Sequence, residues 1–167
     1  MLIKSNITTL FLDIGGVLLS NGWGHDFRKL AAEKYHLDAT EMEDRHNIMF
    51  VTYEEGIITL EEYLNRVVFY EARDFTHAEF RDFMFSLTCA DEEMIVFIKK
   101  IKEEYGLKIV AVSNEARELN EYRIQTFGLY EFIDFFISSC FVHLRKPDEN
   151  IFRMALDTAH VTPEQVI

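Results

Sequence analysis

At 167 residues with 49% apolar and 14% aromatic side chains, the chain can bury one packed domain carrying a small insertion, which argues against disorder. Its 29 acidic against 17 basic side chains leave a formal net charge of -12, which disfavours nucleic acid as the main partner yet leaves room for a local anion pocket. Cys89 and Cys140 each sit in an apolar stretch and are expected as buried free thiols in a reducing compartment; with no leader and no membrane-length apolar run, the expected location is the cytoplasm and no membrane partner is expected.

Residues 7–12 are apolar or β-branched and end at Asp13, Gly15 and Gly16, the pattern of a buried strand running into a tight loop. The next stretch, 21–87, has no comparable strand. It shows helical stripes instead: Phe27, Leu30 and Ala31, then Leu60, Tyr63, Leu64 and Val67, then Phe80, Phe83, Met84 and Leu87. Thr40 with Glu43, Thr59 with Glu62 and Thr76 with Glu79 have the spacing of capping boxes, in which a hydroxyl and a carboxylate satisfy each other's free backbone amides.

From Asp91 to Gly106, Met94, Ile98, Ile101 and Tyr105 recur at helical spacing, with Asp91 as N-cap and Gly106 as stop. A second buried strand follows over 107–112. Helix over 115–127, strand over 132–138 and an amphipathic helix over 147–160 complete the order. Alternating strands and helices predict an α/β fold with a Rossmann-like parallel sheet covered by helices on both faces, because parallel neighbours need crossover connections. The expected division is a core of 1–20 and 88–167 and a helical cap of 21–87, placed above the strands' C-terminal ends where open sheets bind ligands.

Asp13, Ser113 and Lys146 each fall at or just beyond the C-terminal end of a strand. Taken singly, each has a plain structural reading: Asp13 as a loop former before glycines, Ser113 and Asn114 as helix caps, Lys146 as a solvated cation before Pro147. Taken together, they bring a carboxylate, a hydroxyl and an ammonium to one crevice. In this combination "FLDIGGVLL", "VSNEA" and "RKPDENIF" resemble the first, second and third motifs of the haloacid dehalogenase superfamily, in the right order over the whole chain. The helical insertion resembles that superfamily's cap.

The resemblance implies a phosphatase acting on a small phosphorylated metabolite, with a sugar phosphate as one candidate, through an aspartyl-phosphate on Asp13. Lys146 would supply positive charge, and Ser113, Asn114, Gly15 and Gly16 would bind the phosphoryl oxygens. Magnesium is the implied cofactor, held by the Asp13 carboxylate and the Gly15 carbonyl. Two departures bear on this. The family's second aspartate, its general acid and base, is Gly15 here; some sugar-phosphate phosphatases of the superfamily are similar in this respect, and His25 and His46 are candidate substitutes. The chain also ends at Ile167, where a fourth strand and a further acidic pair for magnesium are expected. A truncated version of a longer protein, with the first strand left as an exposed edge open to another chain, is the expectation. The alternatives are a catalytically impaired binding or regulatory module and, with less support, a metal-independent 2-haloacid dehalogenase.

Overall fold

The computed structural model describes residues 6–167; the first five residues of the expected 1–20 core segment lie outside them. Three strands, β1 (Thr9–Leu12), β2 (Lys108–Ser113) and β3 (Phe135–Ser138), form one parallel sheet in the order β1-β2-β3. Each is shorter at its start than the apolar run that announces it. Alternation along β2 sends its residues to two layers: Ile109 and Ala111 pack with Leu10, Leu12 and Ile98, whereas Val110 and Val112 pack with Ile137, Ile151 and Ala155. Thus β2, central and buried on both faces, reads as a continuous apolar run. The parallel α/β expectation is met.

The helices are α1 (His25–Lys34), α2 (Ala39–Glu54), α3 (Leu60–Val67), α4 (His77–Ser86), α5 (Glu92–Tyr105), α6 (Arg117–Thr126), the short α7 (Ser139–Val142) and α8 (Glu149–Ala159). Helix α5 covers one sheet face through Ile98, and α8 covers the other with Ile151, Ala155 and Ala159, one side chain per turn. Asp91 caps α5 by accepting from the Met94 amide, and Gly106 ends it in the left-handed conformation that a residue without Cβ adopts at little cost.

Helices α1 to α4 enclose a second core of Met42, Tyr63, Leu64, Phe80 and Met84, to which α6 adds Ala116 and Leu119. The two connections joining this cluster to the sheet run side by side. The Ser20 amide donates to the Cys89 carbonyl at 2.8 Å and the Asp91 amide to the Leu18 carbonyl at 2.9 Å. Entry and exit are therefore tied together beside β1.

Three sequence expectations need correction. Thr59 and Thr76 form their capping boxes, but Thr40 does not: the N-cap of α2 is Asp38, whose carboxylate accepts from the Thr40 and Glu41 amides, while Glu43 turns away to Arg28. Asp outcompetes Thr because the chain is still extended at Asp38 and already helical at Thr40. Cys140 is buried, its thiol pushed up to about 12 by burial, whereas Cys89 is exposed on the connecting segment. The outer edge of β1 is partly covered, since the Phe11 amide donates to the Ile167 carbonyl at 2.9 Å and the Ile167 amide to the Thr9 carbonyl at 3.1 Å.

Asp38→Ala is expected to lower stability by about 1 kcal/mol, and Thr40→Ala by less than half as much, in urea unfolding followed by far-ultraviolet circular dichroism.

Candidate active site

The sheet is parallel, so the C-terminal ends of β1, β2 and β3 open onto the same side, and each delivers one polar residue there. Asp13 follows β1 immediately. Its Oδ1 accepts from the Ile14 amide at 2.9 Å and from the Ser113 hydroxyl at 2.7 Å, and its Oδ2 accepts from the Lys146 ammonium at 2.6 Å. Ser113 is the last residue of β2 and is buried. Lys146 comes from the loop after α7, and its peptide bond to Pro147 is cis. Residues 100 and 133 positions away from Asp13 thus grip one carboxylate whose side chain remains 40% exposed.

Asn114 is close but faces otherwise than expected. Its Nδ2 donates to the Lys146 carbonyl at 3.0 Å and its Oδ1 accepts from the Lys146 amide at 2.7 Å. Both ends of the amide hold the Lys146 backbone, so Asn114 fixes the loop that aims the ammonium. Gly15 lines the cleft beside Asp13. Gly16 does not: with φ at 72° it makes the turn, and its amide is spent on the Leu19 carbonyl at 2.8 Å. A side chain at 16 would meet the Asn21 Oδ1 at 2.8 Å, which gives glycine a structural reason.

The cleft above Asp13 has a volume of about 380 Å³ and is roofed by the helical cluster through Trp23, His25, His46 and Phe50. That roof is held by a polar network. Buried Arg28 donates from Nε and Nη2 to Glu43 at 2.8 and 2.6 Å and from Nη1 to the Trp23 carbonyl. The Arg28 guanidinium holds the Glu43 carboxyl down at about 2. The Tyr63 hydroxyl ties Trp23 to His46, accepting from the indole Nε1 at 2.9 Å and bonding the imidazole Nδ1 at 2.8 Å. Burial, with Arg28 nearby, pushes His46 down to about 4, so its ring is neutral at neutral pH.

Below the roof the two halves meet through polar contacts. Arg145 pairs with Glu54 at 2.7 Å, the Ser139 hydroxyl donates to the Glu54 carbonyl at 2.6 Å, and His143 Nδ1 bonds the Glu55 carbonyl at 2.6 Å. The C-terminal end of α2 is therefore fastened to the segment that leads to Lys146.

The motif residues Asp13, Ser113 and Lys146 are brought together, and Gly15 and Asn114 lie beside them. Reasoning from sequence missed Arg28, Trp23, Tyr63, and the buried pair of Glu115 and Arg123. Glu115 directly follows Ser113-Asn114, but in a sequence it reads as one more helix-start acid. Of the two candidate histidines, His25 is exposed at the cleft mouth, 3.5 Å from Glu43, and His46 is buried against Tyr63. Among the described residues no group of His, Cys, Asp or Glu is arranged to hold a metal, and no helix is long and apolar enough to cross a membrane.

A family model of haloacid dehalogenase-like hydrolases matches residues 7–167, and the chain belongs to that family. Among solved structures it is similar to the HAD family enzyme bt-2542 from Bacteroides thetaiotaomicron, with a TM-score of 0.77 at 16% identity, over 96% of this chain and 82% of that one. The same enzyme was also solved as a magnesium complex. A HAD-like family hydrolase from Porphyromonas gingivalis superposes with a TM-score of 0.73 at 18% identity, over 96% of this chain and 80% of that one. L-2-haloacid dehalogenase from Xanthobacter autotrophicus gives 0.62 at 14% identity, over 96% and 68%. At such identities these likenesses establish the fold. No curated protein sequence matches the chain.

The neutral buried His46 gives a pH signature. Its pKa falls from 6.5 unfolded to about 4 folded, so below 6.5 the unfolded chain binds a proton that the folded chain does not. Stability is expected to fall between pH 6.5 and 4 with a slope approaching ~1.4 kcal/mol per pH unit from this group. Urea titrations of wild type and His46→Gln across that range check it: the substitution is expected to flatten the slope.

Proposed function

We propose that the chain is a phosphatase of a small phosphorylated metabolite, with sugar phosphates the first class to assay. The observation that carries this reading is the Asp13 carboxylate, bonded by the Lys146 ammonium at 2.6 Å and the Ser113 hydroxyl at 2.7 Å while open to a cleft of about 380 Å³. A carboxylate approaching a phosphate dianion meets strong repulsion unless positive charge lies beside the transferring group. Lys146 supplies that charge. The Ser113 hydroxyl, freed from Asp13, can donate to a phosphoryl oxygen, and the Gly15 backbone borders the same space.

In the proposed sequence an Asp13 oxygen attacks phosphorus as the bond to the leaving oxygen breaks, and water then displaces the phosphoryl group from Asp13. Lys146 and Asn114 matter in both steps, the first as the cation and the second by fixing where that cation stands. Magnesium would add Lewis-acid charge at the phosphoryl oxygens. It would meet Asp13 and the Gly15 carbonyl, yet these two oxygens fall short of the shell a magnesium ion demands, and the described residues offer no acidic cluster to complete it. No step is assigned to the metal.

Phosphate release from a panel of sugar phosphates by the full-length gene product is the test. Asp13→Asn is expected to lower turnover about 1,000-fold or more, and Lys146→Ala roughly 100- to 1,000-fold. Equal rates for wild type and Asp13→Asn would remove Asp13 as nucleophile. Chloride release from a 2-haloacid would move the chain to the dehalogenase branch, and phosphate-analogue binding without turnover would mark a binding module.

A further inference from the structure

Resting on the phosphatase reading, we infer that Glu115 is the general acid and base of the reaction, in place of the carboxylate that Gly15 cannot provide. Glu115 lines the same cleft as Asp13 and is only 4% exposed. A Cβ placed on Gly15 would lie 3.4 Å from Glu115 Oε1, so the carboxylate from the end of β2 occupies the space a side chain at 15 would enter. On the other flank, a Cβ on Gly22 would lie 3.4 Å from Glu115 Oε2 and 3.0 Å from Arg123 Nη1. Two glycines of the cleft wall thus leave room for one buried carboxylate.

That carboxylate is held by Arg123. Arg123, fully buried, donates from Nη1 to Glu115 Oε1 at 2.5 Å and from Nη2 to the Ser20 carbonyl at 2.5 Å. The other Glu115 oxygen, Oε2, faces Gly22 on the cleft wall. Burial raises the Glu115 pKa and the Asp13 charge adds to the rise, against the opposing pull of Arg123. A raised pKa moves the carboxyl towards the range in which it can give and take a proton. His46, neutral near pH 7 with Nδ1 engaged by Tyr63, is not the imidazolium that an effective general acid would need.

When Asp13 attacks phosphorus, the bond to the leaving oxygen breaks and that oxygen takes the Glu115 proton. The resulting Glu115 carboxylate then accepts a proton from the water that attacks the aspartyl-phosphate, the bond between phosphorus and Asp13 breaks, and inorganic phosphate leaves with Glu115 protonated again.

Glu115→Gln keeps the shape and a polar contact to Arg123 while removing the transferable proton. In single-turnover measurements on the full-length protein, leaving-group release from an alkyl phosphate is expected to slow roughly 100-fold or more, and release of p-nitrophenolate, which departs without a proton, by less than about 5-fold. A purely structural pair would slow both substrates equally, and that result, or an unchanged alkyl-phosphate rate, overturns the assignment. Thermal unfolding of each variant separates a loss of fold from a loss of chemistry. Asp13→Asn run alongside separates the two readings: if it retains single-turnover release, the phosphatase reading itself has failed, and if only Glu115→Gln is unimpaired, the inference alone has.

Discussion

The Asp13 carboxylate is the point on which the structure converges. It sits at the end of β1, and its two oxygens are taken by a hydroxyl from the end of β2 and an ammonium from beyond β3. No local feature could assemble this triad, because its members are 100 and 133 residues from Asp13. Parallel pairing does so instead: β1 aligns Leu12 with Ala111 and β2 aligns Ser113 with Ser138, which forces all three strand ends to one rim. Asn114 then pins the Lys146 backbone with both ends of its amide, so the root of the cation's side chain cannot shift without breaking two hydrogen bonds.

Behind that rim lies a second pair of polar side chains, Glu115 bonded by Arg123, with almost no exposure to solvent. Burying an acid against a guanidinium is costly unless geometry and further hydrogen bonds compensate, so such a pair is weak evidence for stability by itself. Arg123 also grips the Ser20 carbonyl, on the connection that leads from β1 into the helical cluster. The pair therefore touches both the cleft wall and the link between the two packed units. Its position beside Gly15 is the physical ground for giving it a chemical role as well as a structural one.

Family membership sets the class, a haloacid dehalogenase-like hydrolase, and leaves the substrate to the site. The similar structures include hydrolases of the family and an L-2-haloacid dehalogenase, all at low identity, so the fold accommodates more than one reaction. On a shared fold the site sets the function, and here the site includes the wall of the cleft. That wall carries Trp23, His46 and Phe50 from the helical cluster, held by Tyr63 and by the pairing of Arg28 with Glu43.

The sequence alone determined the alternating α/β order, the apolar runs of the three strands, the two capping boxes at Thr59 and Thr76, and the identity of Asp13 and Ser113 as residues at strand ends and of Lys146 as one beyond a strand. These were legible because periodicity, capping and strand termination are local properties, governed by residues within a turn or two of one another. The tertiary structure decided what depended on distant neighbours. Asn114 became a clamp because the Lys146 backbone lies against it, Gly16 turned its amide to Leu19, and Asp38 displaced Thr40 as the cap once the entry to α2 was fixed. Glu115 emerged from an ordinary helix start for the same reason: whether an acid is solvated or buried beside a nucleophile is set by packing across the chain, which no short stretch of sequence encodes.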